Sequence, residues 1–316
     1  MQIDSAFRTG LFSTVVYRNT ERAYTWERRL ERPGGLRVVG GSERWCRDVS
    51  TRAVRYCHPV VTDPATLRWA VRGNTTLADV VLPVAAGGPG PPDRTASLIE
   101  LFARLGASSR GAPSGVEPDA PGRVGGHPPD MLSRLRTWCD GEWDVGASEQ
   151  DRATLARLLG PRSFARLRSR VDHVTRAFGG GSDEARIHGA LTAGNIVVDP
   201  SDLSRCDVLS GPDLTTGPRA YDAGVLLGEL CEFACVALAV GADDSLYPML
   251  AAAYLDASTI PFDDLLASVI VCRVAAHVVD YSSFVGPVPE MRLYHAILSE
   301  IVDDARSWMD VGRQGW

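Results

Sequence analysis

The side chains best suited to chemistry lie close together, between residues 186 and 222. His188 carries an imidazole, whose reference pKa of about 6.5 suits proton transfer near neutral pH. Asp213 is a carboxylate with three open roles, as an acid, as a ligand for a substrate or as a turn residue. Asn195 offers an amide oxygen, which brings no charge to a metal ion. We therefore expect a site for hydrogen bonding and proton transfer that holds no metal.

The spacing of these residues is similar to that of a known catalytic loop. Residues 186–199 read Arg-Ile-His-Gly-Ala-Leu-Thr-Ala-Gly-Asn-Ile-Val-Val-Asp. They resemble the motif of aminoglycoside phosphotransferases and related kinase-like small-molecule kinases, His-Gly-Asp, four residues and Asn, with Ala190 in place of the catalytic base. Residues 206–222 resemble the same family's Ile-Asp-Trp and Gly-Pro-x-x-Tyr-Asp segment. Counting back from Asp222 places Ser210 where that family has its metal-binding aspartate.

The composition shows that a third component of the phosphotransfer machinery, a phosphate-binding lysine, is also missing. Kinases of this family use a lysine on the third strand of the small lobe to hold the nucleotide phosphates. All 33 basic residues of this chain are arginine, and the planar guanidinium is not a conservative exchange for an ammonium group. A shifted alignment offers Asp207 or Asp213 as a metal ligand, but it does not restore all three parts. We expect no cofactor.

The resemblance implies an α+β fold with two lobes, of the protein-kinase-like (aminoglycoside phosphotransferase-like) type. We place a small β-rich N-lobe at about residues 1–75 and a mainly helical C-lobe at about 76–316. β-Branched and aromatic residues predict strands, and apolar residues at i, i+3 or i+4 predict helices. Strands are predicted at 11–17, 23–26, 36–39 and 66–71. Helices are predicted at 42–56, 131–138, 150–159, 164–178, 220–240, 260–281 and 291–309. The Gly- and Pro-rich segment 111–129 is either a flexible surface insertion or a lid over a substrate.

Three residues of the loop region have a structural role to set beside the chemical one. His188 either ties the loop to neighbouring backbone or transfers a proton. Asp222 is expected to anchor the loop by accepting hydrogen bonds. Asn195, a magnesium ligand in the family, is expected here to fix the loop or to bind a substrate.

Further candidates for substrate binding come from both lobes. Thr192 and Ser210 carry small hydroxyl groups, which orient a substrate without a metal, and we expect the positions of Ala190 and Ser210 to face a solvent-filled cleft. On the small-lobe strands, Tyr24 and Arg37 are candidates for the cleft, with a place in the core as the alternative for the aromatic ring.

Charge and composition exclude several classes of function. A net charge of −6 and a pI of about 5.6 argue against a nucleic-acid surface. No uninterrupted apolar run reaches the ~18 residues of a membrane span, and the first residues do not resemble a secretion signal, so we expect a cytoplasmic protein. The seven cysteines are scattered and odd in number, which predicts reduced thiols. Cys231 and Cys235 are expected to pack as small buried residues rather than to hold a metal.

The resemblance also suggests a function. Peptide natural-product clusters of actinomycetes, including those for thioamitides and related lanthipeptides, encode kinase-like proteins of this family beside a lyase and a cysteine decarboxylase. We expect a cyclase that joins an enethiol to a dehydrated Ser or Thr of a modified precursor peptide, with the lyase or decarboxylase as companion. The first alternative is a non-catalytic pseudokinase that binds a peptide or activates a partner enzyme. The second is an active phosphotransferase with unusual residues.

Overall fold

The computed structural model of the chain describes residues 2–8, 12–31, 42–85, 93–110, 127–143, 145–179, 184–286 and 291–309. The N-terminal part is rich in strands: β1 (Gln2–Arg8), β2 (Phe12–Thr20), β3 (Ala23–Leu30), α1 (Ser42–Val49), β4 (Val54–Cys57), β5 (Val60–Asp63) and β6 (Thr66–Val71). The remainder is mostly helical: β7 (Thr75–Thr76), α2 (Leu77–Ala85), α3 (Asp93–Arg110), α4 (Asp130–Asp140), α5 (Ser148–Ala177), β8 (Glu184–Ile187), β9 (Ile196–Asp199), β10 (Asp202–Leu209), β11 (Thr215–Pro218), α6 (Ala220–Ala239), α7 (Leu246–Ser258), α8 (Asp264–Phe284) and α9 (Met291–Ile301). The predicted α+β fold, with a β-rich small lobe and a mainly helical large lobe, is confirmed.

The small lobe is built on an antiparallel sheet. Its described strands follow the order β1-β2-β3-β6-β5. Val16, Trp26 and Trp69 lie opposite one another on β2, β3 and β6. All three are buried, because residues in register on adjacent strands point to the same face. This face forms the small-lobe core.

The large lobe is centred on two apolar helices. α6 and α8 pack together, and most of their residues are buried. α8 is long and apolar enough to cross a membrane by length and composition, but 78% of its most apolar window is buried within the protein. That burial is typical of a core helix.

Two strands connect the lobes. β4 runs parallel to β10 of the large lobe, and the pairing ends with Cys57 opposite Leu209. One residue further, the Ser210 N–H donates to the Cys57 carbonyl at 3.1 Å. The end of β4 is therefore held next to Ser210, the residue that the sequence resemblance aligns with a metal-binding aspartate.

Several element predictions need correction. The helix predicted at 42–56 ends at Val49, and 54–57 form β4 because this segment pairs with β10. The helices predicted at 150–159 and 164–178 are parts of α5, which is interrupted at Gly160 (φ 72°) before Pro161. The helix predicted at 260–281 is observed as α8, shifted to Asp264–Phe284, and the helix predicted at 291–309 is α9, which ends at Ile301. α3 and α7 have no counterpart in the prediction. Residues 36–39 and most of 111–129 lie outside the described residues, and the division at residue 75 stays a prediction.

Candidate functional site

Asp222 anchors the catalytic-loop segment. Its carboxylate accepts hydrogen bonds from the backbone N–H groups of His188 at 2.7 Å and Gly189 at 2.8 Å. Burial raises the pKa of Asp222 to about 6, although the two hydrogen bonds favour the ionised form. Gly189 has φ 77°, and a Cβ there would collide with the Asp213 carbonyl. Only glycine fits this turn without strain.

His188 is held inside the protein by both ring nitrogens. Nδ1 accepts from the Ala190 N–H at 3.2 Å, so Nε2 carries the proton and donates to the Leu209 carbonyl at 2.9 Å. The residue is 2% exposed. Burial lowers the pKa of His188 from 6.5 to about 4, against the opposing effect of its backbone hydrogen bonds. This geometry favours the structural role of His188 over proton transfer.

Arg28 on β3 contacts the loop that contains Asn195. Its Nη1 donates to Asn195 Oδ1 at 2.6 Å, while Asn195 Nδ2 donates to the Ala190 carbonyl at 2.8 Å. The guanidinium also lies 5.5 Å from the Phe12 ring and 5.9 Å from the Trp69 ring. Burial lowers the pKa of Arg28 to about 10. Asn195 is therefore engaged on both sides of its amide, by a cation and by the loop.

Ser210 lies in the interior rather than facing a solvent-filled cleft as expected. It is 1% exposed, and its Oγ accepts from the Cys46 thiol of α1 at 3.3 Å. Its carbonyl accepts from the Trp69 indole at 2.8 Å. Ala190 is half-buried. The expectation failed for Ser210 because α1 packs against the end of β10.

Asp213 lies beside the loop and binds the start of α4. Its Oδ1 accepts from the Asp130 N–H at 3.0 Å. Burial raises the pKa of Asp213 to about 6, against the opposing effect of the hydrogen bond from the Asp130 N–H. Of the three roles predicted for Asp213, this contact with the backbone of α4 favours the structural one, that of a turn residue. A carboxyl with this pKa also exchanges protons near neutral pH.

The shifted alignment through Asp207 does not provide a metal ligand. Asp207 is 1% exposed and accepts hydrogen bonds from Arg55 Nε at 3.0 Å and Arg72 Nε at 2.9 Å. Both arginines belong to the small-lobe sequence, so this carboxylate joins the lobes. Among the described residues, no group of three or more His, Cys, Asp or Glu side chains is placed to hold a metal ion.

The remaining predicted site residues are spread over the molecule. Tyr24 is 8% exposed and belongs to the small-lobe core, so the structure places it in the alternative position and not in the cleft. Thr192 is half-buried in the loop, where its carbonyl accepts from the Asn195 N–H at 2.9 Å. Arg37 lies outside the described residues. The structure thus brings His188, Asn195 and Asp213 to one loop and separates Tyr24 from them.

A second histidine, which sequence reasoning missed, lies at the end of β4. His58 follows Cys57 and is therefore adjacent to Ser210 in the β4–β10 pairing. Its Nδ1 is 3.0 Å from Ser42 Oγ at the start of α1. The His58 residue is partly exposed. No local motif marks this histidine, because its position depends on a parallel pairing between strands far apart in sequence.

Charged side chains of α6 and α8 lie next to the loop that contains Ala193. The backbone N–H of Ala193 donates to the buried Glu229 of α6. Arg273 of α8 lies 3.5 Å from Glu229 and 2.9 Å from Glu232, so both carboxylates face a cation. Burial raises the pKa of Glu229, and Arg273 opposes this effect. Glu229 and Glu232 are therefore both paired with groups of the protein itself.

Solved structures with a similar fold are aminoglycoside phosphotransferases. A crystal structure of aminoglycoside phosphotransferase APH(4)-Ia matches with a TM-score of 0.56 and 10% identity, over 96% of this chain and 94% of that chain. The apo form of a thermostable mutant of APH(4)-Ia matches with a TM-score of 0.54 and 11% identity, over 95% and 94% of the two chains. A thermostable mutant in ternary complex with ADP and hygromycin B matches with a TM-score of 0.53 and 12% identity, again over 95% and 94%.

Sequence comparison adds no closer assignment. No protein-family model matches the chain, and no curated protein matches it. The low identities to the solved structures mean that the likeness concerns the fold and not the activity. The chain therefore has the two-lobed, protein-kinase-like fold of the aminoglycoside phosphotransferases.

Proposed function

We propose that this protein has the phosphotransferase fold without phosphotransfer, and that its cleft acts on a modified peptide as a metal-independent cyclase. The observation that carries the first part is the contact between Arg28 and Asn195. The family uses this asparagine for magnesium, but here its oxygen faces a guanidinium. A cation at that distance opposes the approach of a second cation.

The two other phosphotransfer positions support the same conclusion. The side chain of Ala190 accepts no proton from a substrate hydroxyl. Ser210 brings no charge, and its hydroxyl already accepts from the Cys46 thiol. Phosphoryl transfer depends on positioning and on stabilising charge at these places. The cleft is suited instead to a reaction that needs positioning and mild proton transfer.

The proposed cyclisation has such requirements. An enethiol adds across the double bond of a dehydroamino acid, so that a C–S bond forms at Cβ and a proton is delivered to Cα. No metal, nucleotide or redox partner enters this balance. Asp213, which lies beside the loop and has a pKa raised to about 6, is one candidate for the acid–base role. The precursor peptide and the companion lyase or decarboxylase belong to this proposal, as does a cytoplasmic location.

The absence of phosphotransfer is tested by calorimetry with Mg-ATP and by a phosphotransfer assay on aminoglycosides and peptides. We expect neither tight binding nor turnover. As a control, Arg28→Lys keeps a cation on β3 with a smaller head group and should not restore transfer. Micromolar ATP affinity with measurable turnover in the wild type would overturn this part of the proposal.

Ring closure is tested by mass spectrometry with thiol alkylation. Cyclisation leaves the mass unchanged but removes the free enethiol, so the fraction of decarboxylated, dehydrated peptide that can be alkylated reports the reaction. We expect this fraction to fall only when the protein is present. A peptide that stays fully alkylatable rules out the cyclase.

A non-catalytic pseudokinase is the second candidate, and the locked state of His188 favours it. Both nitrogens of this ring are satisfied by backbone groups, which leaves the catalytic loop without a free base. Such a protein would bind the peptide and leave it uncyclised. Peptide binding seen by calorimetry, with unchanged alkylation, would identify this function.

A further inference from the structure

Four polar side chains meet where α1 contacts the ends of β4 and β10. They are Ser42, Cys46, His58 and Ser210, which we call the α1–β10 cluster. Ser42 and Cys46 lie one helical turn apart and are buried on the same face of α1. Ser42 contacts His58 at 3.0 Å, and Cys46 contacts Ser210 at 3.3 Å. The cluster therefore surrounds the position that corresponds to the metal-binding aspartate.

His58 is the accessible member of this cluster. Ser42, Cys46 and Ser210 are each at most 2% exposed, whereas the His58 residue is partly exposed. Within the described part of the chain, the ring makes one hydrogen bond, which joins its Nδ1 to Ser42 Oγ. When Nδ1 donates to Ser42 Oγ, the accepting nitrogen is Nε2. Ser42 thus orients the ring and leaves the second nitrogen to a ligand.

The two histidines near the loop therefore have opposite properties. His188 is buried, with both nitrogens bonded to backbone and a pKa lowered to about 4. His58 is partly exposed and has one nitrogen engaged. A general base needs a nitrogen that can reach the proton it removes. On this criterion His58 is the better candidate.

We propose that His58, oriented by Ser42, is the proton-transfer residue of the cleft; this assignment rests on the proposed cyclase function. His58 Nε2 takes the proton of the enethiol, and the resulting thiolate attacks Cβ of the dehydroamino acid. The electrons of the double bond move to Cα, and the His58 imidazolium returns its proton there. The C–S bond and the Cα–H bond form while the S–H bond and the π bond of the dehydroamino acid break, so atoms and electrons balance.

The first measurement is the cyclisation rate of His58→Gln, with His173→Gln as the matched control. His173 is also partly exposed and lies on α5, where its Nδ1 is 3.5 Å from Ser268 Oγ. We expect His58→Gln to slow ring closure by ~10²–10⁴-fold and the control to keep the wild-type rate. Ser42→Ala should slow the reaction less, because the ring remains. Cyclisation by His58→Gln at the wild-type rate, with its fold verified by circular dichroism, overturns the assignment.

The second measurement separates the site from the reaction. Protein carrying ¹⁵N-labelled histidine is titrated with decarboxylated peptide that has not been dehydrated, which has an enethiol but no acceptor. We expect the ring signals of His58, assigned through His58→Gln, to shift on binding, and those of His188 to remain. If the wild type fails to cyclise but His58 shifts, the cyclase proposal falls and His58 remains the ligand-binding residue. Peptide binding without a His58 shift overturns the inference, and a peptide that neither binds nor cyclises overturns both.

Discussion

Strand β10 and the residue after it carry two polar positions with opposite surroundings. Asp207 is a buried carboxylate that two arginines approach from the small-lobe side, Arg55 at 2.6 Å and Arg72 at 2.5 Å. Three residues further on, Ser210 is equally buried but contacts a thiol and an indole. Asp207, which joins the lobes, is thus charged. Ser210, which the sequence resemblance aligns with a metal-binding aspartate, is not.

This difference separates two uses of an ionised side chain. A buried carboxylate with paired arginines has its desolvation offset by several charge-assisted hydrogen bonds. Among the described residues, the side chains that hydrogen-bond to Ser210 are a thiol and an indole, so an aspartate there would lack such arginine partners unless it bound a metal. Substitution of Asp207 therefore tests how much paired charge stabilises the fold, and substitution of Ser210 tests whether the interior accepts an unpaired charge.

Loss of the Asp207 charge should have the largest effect on stability. In Asp207→Asn, Arg55 and Arg72 lose their anionic partner, so we expect the free energy of unfolding to fall by about 3–5 kcal/mol. Denaturant titration measures it. The control is Asp202→Asn near the other end of β10, where the exposed pair with Arg205 is 3.9 Å apart and the change should stay below about 0.5 kcal/mol. Equal losses of unfolding free energy in the two variants would show that the buried pairs of Asp207 stabilise the fold no more than an exposed pair.

A carboxylate at position 210 should lower the free energy of unfolding by about 2–4 kcal/mol. Ser210→Asp buries a charge beside Cys46 without a cation in hydrogen-bond contact, whereas Ala190→Asp at a half-buried position should cost about 1 kcal/mol or less. The double variant should still lack phosphotransfer, because the chain has no lysine and Arg28 is engaged by Asn195. Phosphorylation of a common aminoglycoside by the double variant would show that the cleft has kept kinase geometry.

Removal of the His188 ring should lower stability by about 1–3 kcal/mol. In His188→Ala, the Leu209 carbonyl and the Ala190 N–H lose their buried partner. The folded pKa of about 4 lies below the unfolded value of 6.5. The contribution of the neutral ring is therefore complete above pH 6.5 and is lost as the pH falls towards 4. Thermal unfolding of both proteins across this window should show the difference shrinking at low pH; a constant difference would contradict the locked neutral ring.

Asp213→Asn should have the smallest effect, with the opposite pH dependence. The folded pKa of about 6 lies above the ordinary value of 3.8, so the native state binds more protons between these values. The wild type should lose stability relative to the variant as the pH rises from 3.8 to 6, and the difference should be constant above that. The Asn side chain still accepts from the Asp130 N–H, so folding is preserved. A relative gain of stability by the wild type over this window would contradict the raised pKa of Asp213.

The elements that were predicted well have a strong local pattern. β6 begins and ends at Thr66 and Val71 as predicted, and α6 is one residue shorter than its predicted range. The helix predicted at 42–56 failed because local periodicity does not show that 54–57 pairs with a strand about 150 residues away. For Tyr24 the sequence left a cleft position and a core position open, and the burial that places it in the core depends on the packing of neighbouring strands.

Chemical identity is a property of the chain alone, so the sequence already shows that position 190 has no carboxylate, that position 210 has no charge and that no lysine exists. Burial and hydrogen bonding depend on partners that folding brings together. Arg28 meets Asn195 across 167 positions, and Cys46 meets Ser210 across 164. Tertiary contacts of the same kind hold the His188 ring between the Leu209 carbonyl and the Ala190 N–H and place His58 beside Ser42. Two histidines of the same chemistry differ because their surroundings differ, and only the tertiary structure sets the surroundings.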